Sequence, residues 1–224
     1  MFLNVWQDIA AMPAVEVVAA ACGVLSVWFA RGNSIWVYPT GIVSVTLYIL
    51  ICLQVGLYAD SLINAYYLFM SIYGWYFWLH GGKIQAAESH RSSEALDDFT
   101  EETGTAEEKA HISYNTLGMN LRWLGVTALV YVLMAMLLSA YTDSDVAWID
   151  AFTTAVFLTA MYAMARKKIE HWIFWILGDA VSIPLYIYKG LPVTSVQYVV
   201  FLALAIWGFA VWYRDLEKQM KLSE

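Results

Sequence analysis

The chain has 224 residues, of which 61% are hydrophobic and only 14% are charged. Soluble domains carry about 25% charged residues, and a water-soluble domain of this length could not bury so much apolar surface. The net charge of −7 arises from acids that cluster in one loop, so it points to neither a basic partner nor nucleic acid.

Seven segments of the chain are apolar and long enough to cross a membrane, which takes about 20 residues in an α-helix. Gly, Asn, Asp or Lys residues mark the loops between them. The sequence therefore predicts an all-α integral membrane protein with seven transmembrane helices. These helices are expected at residues 14–31, 34–53, 58–79, 120–141, 146–165, 171–188 and 194–213.

The remaining segments are hydrophilic or interfacial. Residues 1–13 are expected outside the membrane or along its interface, residues 80–119 form an acidic loop, and residues 214–224 form a tail. Threading seven spans puts eleven Lys and Arg residues on the C-terminal side and only Lys189 on the other. Because loops rich in Lys and Arg stay in the cytoplasm, the C-terminus and the acidic loop are predicted to be cytoplasmic and the N-terminus to face outside.

The sequence contains an internal repeat. A shift of 134 positions, which we call the repeat offset, aligns identical residues of the third and seventh spans: Ser61 with Ser195, Leu68 with Leu202, Ile72 with Ile206, Gly74 with Gly208 and Trp78 with Trp212. A shift of 138 aligns Ser44 and Tyr48 of the second span with Ser182 and Tyr186 of the sixth. Segments 14–79 and 146–213 are therefore predicted to be parallel three-helix repeats joined by a linker helix at 120–141, a 3+1+3 arrangement. Chance similarity between aromatic spans is the alternative.

Polar and aromatic side chains form a row along one face of the sixth span. The row consists of Trp172, Trp175, Asp179, Ser182 and Tyr186, at spacings of three and four residues. A charged residue at mid-membrane costs about 2.5–3.5 kcal/mol on insertion scales, so Asp179 has to face protein or a wet cavity. A hydrogen bond to a neighbouring helix would give Asp179 a packing role, but its aromatic neighbours favour a solute cavity.

Comparable rows lie on other spans. They include Asn64 and Tyr67 in the third span, Gln197 in the seventh, and Thr40 in the second with Trp36 at its edge. Aromatic faces combined with amide groups suit a flat heteroaromatic ring that forms hydrogen bonds.

The scarcity of basic residues in the predicted spans restricts the chemical class of the solute. Lys and Arg are absent from the middle of every predicted span, since Arg31 and Arg122 lie at span ends, so a phosphorylated solute is disfavoured, whereas a cation is attracted by aromatic faces. The histidines lack metal-ligand spacing, and no catalytic Ser/His/Asp set or nucleotide-binding loop is present. The sequence predicts neither an enzyme nor a bound cofactor or metal.

Two stretches of the chain resemble the PnuC family of bacterial nicotinamide riboside transporters. They are YADSLINAYYLFMSIYGWYFW at 58–78 and WIFWILGDAVSIPLYIYKGLPVTSVQYVVFLALAIWGFAVW at 172–212, and the resemblance extends from about residue 14 to residue 213. It implies a fold like that of full-length SWEET sugar transporters, a homotrimer, and facilitated diffusion of unphosphorylated nicotinamide riboside across the bacterial inner membrane. A cytoplasmic kinase would then trap the riboside by phosphorylation for NAD synthesis.

The resemblance also implies a binding site formed by the third, sixth and seventh spans. Its residues in this chain are Asn64, Tyr67, Trp172, Trp175, Asp179, Gln197 and Tyr198. Asn64 stands where Gln is common in the family. The polar rows add Ser182, Trp36 and Thr40 as further candidates.

Three alternatives stay open on the sequence. Relatives of the family carry thiamine or riboflavin, and a SWEET-type carrier would accept neutral sugars. Asp179 offers an ionisable group through which transport could be coupled to protons. A membrane receptor or scaffold whose acidic loop at 80–119 binds a cytoplasmic partner belongs to another class, and loop deletion would separate it from a carrier.

Overall fold

A computed structural model of the chain describes residues 13–85, 87, 109–141 and 145–222. These residues form seven long helices, which confirms the all-α prediction. The helices are α1 Pro13–Arg31, α2 Val37–Gln54, α3 Tyr58–His80, α4 Leu117–Tyr141, α5 Ala147–Ala165, α6 His171–Tyr188 and α7 Pro192–Leu222. Each coincides with one predicted span, except that α7 continues through most of the segment predicted to be a tail.

Five of these helices, namely α1, α2, α4, α5 and α7, are long and apolar enough to cross a membrane. The two others, α3 and α6, carry the polar rows that include Asn64 and Asp179, and these rows lower their mean hydropathy. An all-helical membrane protein with several clear spans follows from this pattern.

Short connections make neighbouring helices antiparallel and give the bundle two ends. We call the end where α1, α3 and α5 finish and α2 and α6 begin the Arg31 end, and the opposite end the Lys189 end. In the order α1, α2, α3, α5, α6 and α7, each helix packs on the next, and α7 packs back on α1. These six helices therefore form a closed ring. Helix α4 packs on α5 outside the ring, and only Ala135 is buried on it.

Backbone features of the two halves recur at the repeat offset. Among the described residues, the only non-glycine residues with positive φ are Asn33 at 50° and Lys167 at 56°, which follow the ends of α1 and α5. Two glycines, Gly56 at 77° and Gly190 at 72°, lie in the left-handed region after α2 and α6. Glycine occupies this region without steric cost, so both turns use it to end a helix.

The helix bounds correct the predicted register of the second and sixth spans. Helix α2 begins at Val37 and α6 begins at His171, and their ends at Gln54 and Tyr188 are likewise related by the repeat offset. The predicted shift of 138 is therefore wrong by four residues. Four residues are close to one turn of 3.6, so the mistaken alignment preserved the face of the helix and matched similar side chains.

An aromatic cluster fills the Arg31 end of the ring. The ring centroids of Trp78 and Trp212 lie 5.8 Å apart. Tyr38 packs edge-on against Trp78 at 5.2 Å, and Trp172 packs edge-on against Trp212 at 6.0 Å. All four side chains are at most 3% exposed, so the cluster is part of the buried core.

Two glycines, Gly74 and Gly208, leave the space that the Tyr38 and Trp172 rings occupy. A Cβ atom on Gly74 would lie 2.5 Å from the Tyr38 hydroxyl, and a Cβ on Gly208 would lie 2.5 Å from the Trp172 ring. No larger residue fits there without movement of the ring. The identical glycines of the sequence repeat thus serve close packing.

All but the last residue of the predicted segment 1–13 and most of the predicted acidic loop at 80–119 lie outside the described residues. The end of that loop, residues 109–116, packs across the Arg31 end, and we call it the strap. Ala110 N donates to Trp78 O at 3.2 Å, and Ile169 N donates to Ser113 O at 3.1 Å. Ala110 and Ile112 are buried, so the strap covers the aromatic cluster from outside.

Candidate functional site

A cavity of about 460 Å³ lies within the six-helix ring and is lined by residues from all six of its helices. Small-molecule sites have volumes in this range. The cavity extends from Tyr38 and Trp172 near the Arg31 end to Asp60 and Thr194 at the Lys189 end. Seven of the ten sequence-predicted site residues line it: Asn64, Tyr67, Trp172, Trp175, Asp179, Gln197 and Tyr198.

Helix α6 presents one face to the cavity. Trp172, Trp175, Asp179 and Tyr186 line the cavity and recur at spacings of three, four and seven residues, which places them on the same side of an α-helix. Asp179 is 2% exposed and lies in the middle of the helix. The carboxyl group of Asp179 therefore faces the cavity at a depth where little water surrounds it.

Four aromatic side chains line the cavity near Asp179 and form what we call the aromatic wall: Phe157, Trp175, Tyr186 and Tyr198. Phe157 lies 5.3 Å from Trp175 and stacks on Tyr198 at 6.1 Å with an interplanar angle of 7°. Tyr198 stacks in turn on Tyr186 at 5.0 Å. Such ring faces carry negative electrostatic potential and attract cations and flat aromatic rings.

Gly178 brings Phe157 to this wall. A Cβ atom on Gly178 would lie 2.2 Å from the Phe157 ring, so α5 and α6 approach closely only because the position is glycine. Gly178, which precedes Asp179 in the chain, therefore has a packing role. It allows the Phe157 ring to lie near Asp179.

Helices α3 and α7 supply amide and hydroxyl groups. Asn64 and Tyr67 line the cavity from α3, and Gln197 lines it from α7. The Asn64 side-chain nitrogen donates to Asp60 O of its own helix at 2.9 Å, which orients the amide. Amides at the wall can both donate and accept hydrogen bonds with a solute.

Three predicted site residues do not line the cavity. Trp36 precedes α2 and is 59% exposed, and the Thr40 hydroxyl donates to Trp36 O at 2.7 Å. Ser182 is 1% exposed, packed inside the protein. Trp36 and Thr40 are each one residue from the lining residues Val37 and Gly41. Ser182 lies between the lining residues Asp179 and Tyr186 of α6, and helical spacing alone could not show that the protein covers it.

The cavity also has lining residues that the sequence reasoning missed. Phe157, Met161 and Met164 line it from α5, and Tyr38 lines it from the start of α2. The three α5 residues recur at spacings of four and three, so helical periodicity could have identified their common face. Tyr38 lies three residues before Gly41 and seven before Val45 on the cavity face of α2, and the repeat offset relates it to Trp172, so either signal could have identified it.

The cavity is closed at the Arg31 end and exposed at the other. Trp78 and Trp212 lie beyond Trp172 at the closed end and are 3% and 0% exposed, and the strap packs outside them. At the Lys189 end the lining residue Asp60 is exposed. Among the described residues, the cavity is thus covered at the Arg31 end and exposed at the Lys189 end.

The charge of the cavity has one sign. Among the described residues, the lining contains the carboxylates Asp60 and Asp179 and neither Lys nor Arg. A phosphate group would find no cationic partner there. A positively charged aromatic ring would find both a carboxylate and aromatic faces.

A ring of membrane-type helices around a cavity lined by aromatic and polar groups can hold a small solute within the membrane, as in a membrane transporter. The chain belongs to the family described as "Nicotinamide mononucleotide transporter", which matches residues 13–214. The match includes residues of all seven helices and every cavity-lining residue.

Several relatives of the chain are named transporters. The nicotinamide riboside transporter PnuC of Escherichia coli (strain K12) is 23% identical over 92% of this chain and 87% of its own length. The riboflavin/roseoflavin transporter RibM of Streptomyces davaonensis is 26% identical over 88% of this chain and 84% of its own. A crystal structure of the vitamin B3 transporter PnuC shares the fold, with a TM-score of 0.65, 21% identity, and coverage of 97% of this chain and 89% of that one.

Proposed function

We propose that the protein is a facilitative transporter of unphosphorylated nicotinamide riboside. The observation that carries this proposal is the placement of Asp179 beside the stacked rings of Phe157, Trp175 and Tyr198 in a cavity without a lining Lys or Arg. Nicotinamide riboside combines a cationic pyridinium ring, a carboxamide and a ribose. The aromatic wall and Asp179 suit the ring, and Asn64 and Gln197 suit the carboxamide and hydroxyl groups.

The charge of the cavity favours the riboside over its mononucleotide. The family description names the mononucleotide, whereas the relatives from Escherichia coli and Shigella flexneri are named riboside transporters. A phosphate group brings about −1.5 to −2 charges at neutral pH and would enter a cavity whose lining carries Asp60 and Asp179 but no Lys or Arg. We therefore assign the riboside as the solute of this chain.

The proposed architecture has seven transmembrane helices in a 3+1+3 arrangement of parallel repeats, of the full-length SWEET type. The backbone features that recur at the repeat offset and the position of α4 outside the ring support it. Residues 14–79 and 146–213 are the repeats, and 120–141 is the linker helix. The Arg31 end, which carries most Lys and Arg residues, is cytoplasmic, so the cavity is open to the outside and closed to the cytoplasm. The N-terminus lies outside and the C-terminus inside.

Two further parts of the proposal concern partners. The protein acts in the bacterial inner membrane as a homotrimer, and a cytoplasmic kinase phosphorylates the riboside after entry. The apolar surface of α4, on which only Ala135 is buried, is available for lipid or a neighbouring subunit. Because phosphorylation adds charge that the cavity does not accommodate, the product would not return by the same path.

Riboflavin is the second candidate solute, because one relative is named a riboflavin/roseoflavin transporter. Riboflavin is a neutral molecule with a three-ring system. It would use the aromatic wall but gain no ionic attraction from Asp179. The two candidates therefore differ in their dependence on that carboxylate.

Titration of the purified protein with nicotinamide riboside, its mononucleotide, thiamine and riboflavin tests the proposal. We expect binding of the riboside and no measurable binding of the mononucleotide. The variants Asn64→Ala, Trp175→Ala and Gln197→Ala should each weaken riboside binding, while Trp36→Ala, outside the cavity, should not. Tighter binding of the mononucleotide or of riboflavin than of the riboside would reject the assignment.

A further inference from the structure

We propose that the Tyr38 hydroxyl and the Trp172 indole N–H form a pair of hydrogen-bond donors that binds the sugar hydroxyls of the solute at the Arg31 end of the cavity. The inference rests on the proposed function, because it assigns the ribose of the riboside to this end. It makes Tyr38 a specificity-determining residue and gives the solute a direction in the cavity.

The Tyr38 hydroxyl and the Trp172 indole N–H are both buried, and neither pairs with another of the described residues. Tyr38 and Trp172 both line the cavity, and each is 1% exposed. Within the described part of the chain, neither Tyr38 Oη nor Trp172 Nε1 has a hydrogen-bond partner. Leaving buried donors unpaired is unfavourable, and native proteins pair nearly all of them. A partner that enters the cavity would satisfy both.

Packing does not pair these polar atoms. The Tyr38 hydroxyl and the adjoining edge of its ring lie against Gly74, and the ring is edge-on to Trp78, but the contact with a glycine gives the hydroxyl no hydrogen-bond partner. The Trp172 ring lies over Gly208 and edge-on to Trp212 in the same way. The two side chains are related by the repeat offset, so the two halves of the chain place one donor each at this end.

The chemistry at this end selects a neutral oxygen. The Trp172 indole can only donate, and the Tyr38 hydroxyl can donate or accept. The nearby lining residues Ala30, Val37 and Met164 are apolar and provide no charge to balance an anion. A sugar hydroxyl oxygen meets these conditions, whereas a phosphate does not.

The distance along α6 sets the direction of the solute. Trp172 and Asp179 are seven residues apart, which corresponds to roughly 10 Å along the helix axis. This separation is comparable to the length of an extended pyridinium riboside. With its cationic ring beside Asp179 and the aromatic wall, the 5′-hydroxyl reaches toward Tyr38 and Trp172. The sugar therefore lies deeper than the ring.

The test compares nicotinamide riboside with its 5′-deoxy analogue by calorimetric titration of the full-length protein and of Tyr38→Phe. The unmodified protein should bind the riboside roughly five- to tenfold more tightly than the analogue, as expected for one hydrogen bond. Tyr38→Phe should reduce this ratio to less than about twofold by weakening the riboside alone. Trp172→Phe provides a second variant with the same expected direction.

A matched control is Tyr76→Phe, because Tyr76 is 62% exposed and does not line the cavity. It should keep the ratio of the unmodified protein. Equal affinities of the unmodified protein for the two ligands would overturn the inference, as would an equal loss for both ligands in Tyr38→Phe. If the unmodified protein binds neither ligand, the proposed function itself fails and the inference falls with it.

Discussion

The indole nitrogen of Trp212 donates a hydrogen bond to the main-chain carbonyl of Ala30 at 2.8 Å, across 182 positions of the chain. Trp78 donates to the carbonyl of Met164 at 3.1 Å. The repeat offset relates Trp78 to Trp212 and also relates Ala30 to Met164. Each bond joins the last helix of one half to the first helix of the other, so the two bonds fasten the halves at the closed end of the cavity.

Replacing either tryptophan should destabilise this junction. Trp212→Phe removes the buried hydrogen bond to Ala30 O, which keeps the bond that it accepts from Asn33 N, and this loss should lower the free energy of unfolding by about 1 kcal/mol. Trp78→Phe should have a similar effect through the lost bond to Met164 O, which still accepts from Lys167 N. Chemical unfolding in detergent measures both. The control is Trp148→Phe, because Trp148 is 53% exposed, and equal losses in all three variants would argue against the junction.

An added methyl group at Gly208 should disturb the site as well as the fold. A Cβ there would lie 2.5 Å from the Trp172 ring, so Gly208→Ala forces a ring that lines the cavity to move. We expect a loss of about 1–3 kcal/mol in stability together with weaker riboside binding, measured by thermal unfolding and titration. Gly125→Ala on α4 meets nothing within 4 Å and should leave binding unchanged. Unaltered binding in Gly208→Ala would show that Trp172 does not contact the solute.

The carboxylate of Asp179 should favour a cationic ligand over a neutral ligand of similar shape. Asp179→Asn keeps the size of the side chain but removes its charge, so affinity for the cationic riboside should fall about tenfold or more, which is about 1.4 kcal/mol. Affinity for the neutral, reduced dihydropyridine riboside should change little. Calorimetric titration of both ligands measures the difference. Equal losses for the two ligands would assign Asp179 a structural role instead.

Lys167 should make the stability of the protein depend on pH. Burial and, to a smaller extent, the nearby charge of Lys109 lower the pKa of Lys167 to about 8, from an ordinary value of about 10.4. Because the folded state gives up this proton at lower pH than the unfolded state, stability should rise between about pH 8 and pH 10.4. The total gain is of the order of 3 kcal/mol.

Thermal unfolding in detergent from pH 7.5 to 10 checks this effect by comparison with Lys167→Met. The variant should lack the rise, although it also loses the hydrogen bond from Lys167 Nζ to Ala110 O in the strap. Lys218→Met serves as a control on an exposed lysine of α7 and should retain the rise. An identical pH dependence in the unmodified protein and Lys167→Met would contradict the prediction.

The helices and the polar rows were predictable because hydropathy and helical spacing are local properties of the chain. The row that contains Trp172, Trp175 and Asp179 on α6 does face the cavity, as its spacing predicted. Ser182 shares the same arc but does not line the cavity, because the outcome depends on which helix covers that part of α6. Whether these residues bind a solute remains a prediction.

Contacts between residues that are far apart in the chain could not be predicted from the sequence. Helical spacing could place Tyr38 and Phe157 on the cavity face of their helices, but it could not show that Tyr38 packs on Gly74 and Phe157 on Gly178. Each of these contacts joins two helices, so no single-helix pattern reveals it. The register error of four residues has a similar cause, since one helical turn preserves a face, and the helix bounds and the turns between helices are needed to fix the alignment.

The proposed cavity passes a cationic, unphosphorylated pyridine riboside across a membrane. Uptake of labelled nicotinamide riboside into proteoliposomes, with and without a pH gradient, measures this transport. Internal riboside should rise to the external concentration and no further, regardless of the gradient, and excess mononucleotide should not compete. Uptake no faster than into protein-free liposomes, or equally rapid uptake of the mononucleotide, would contradict this proposal.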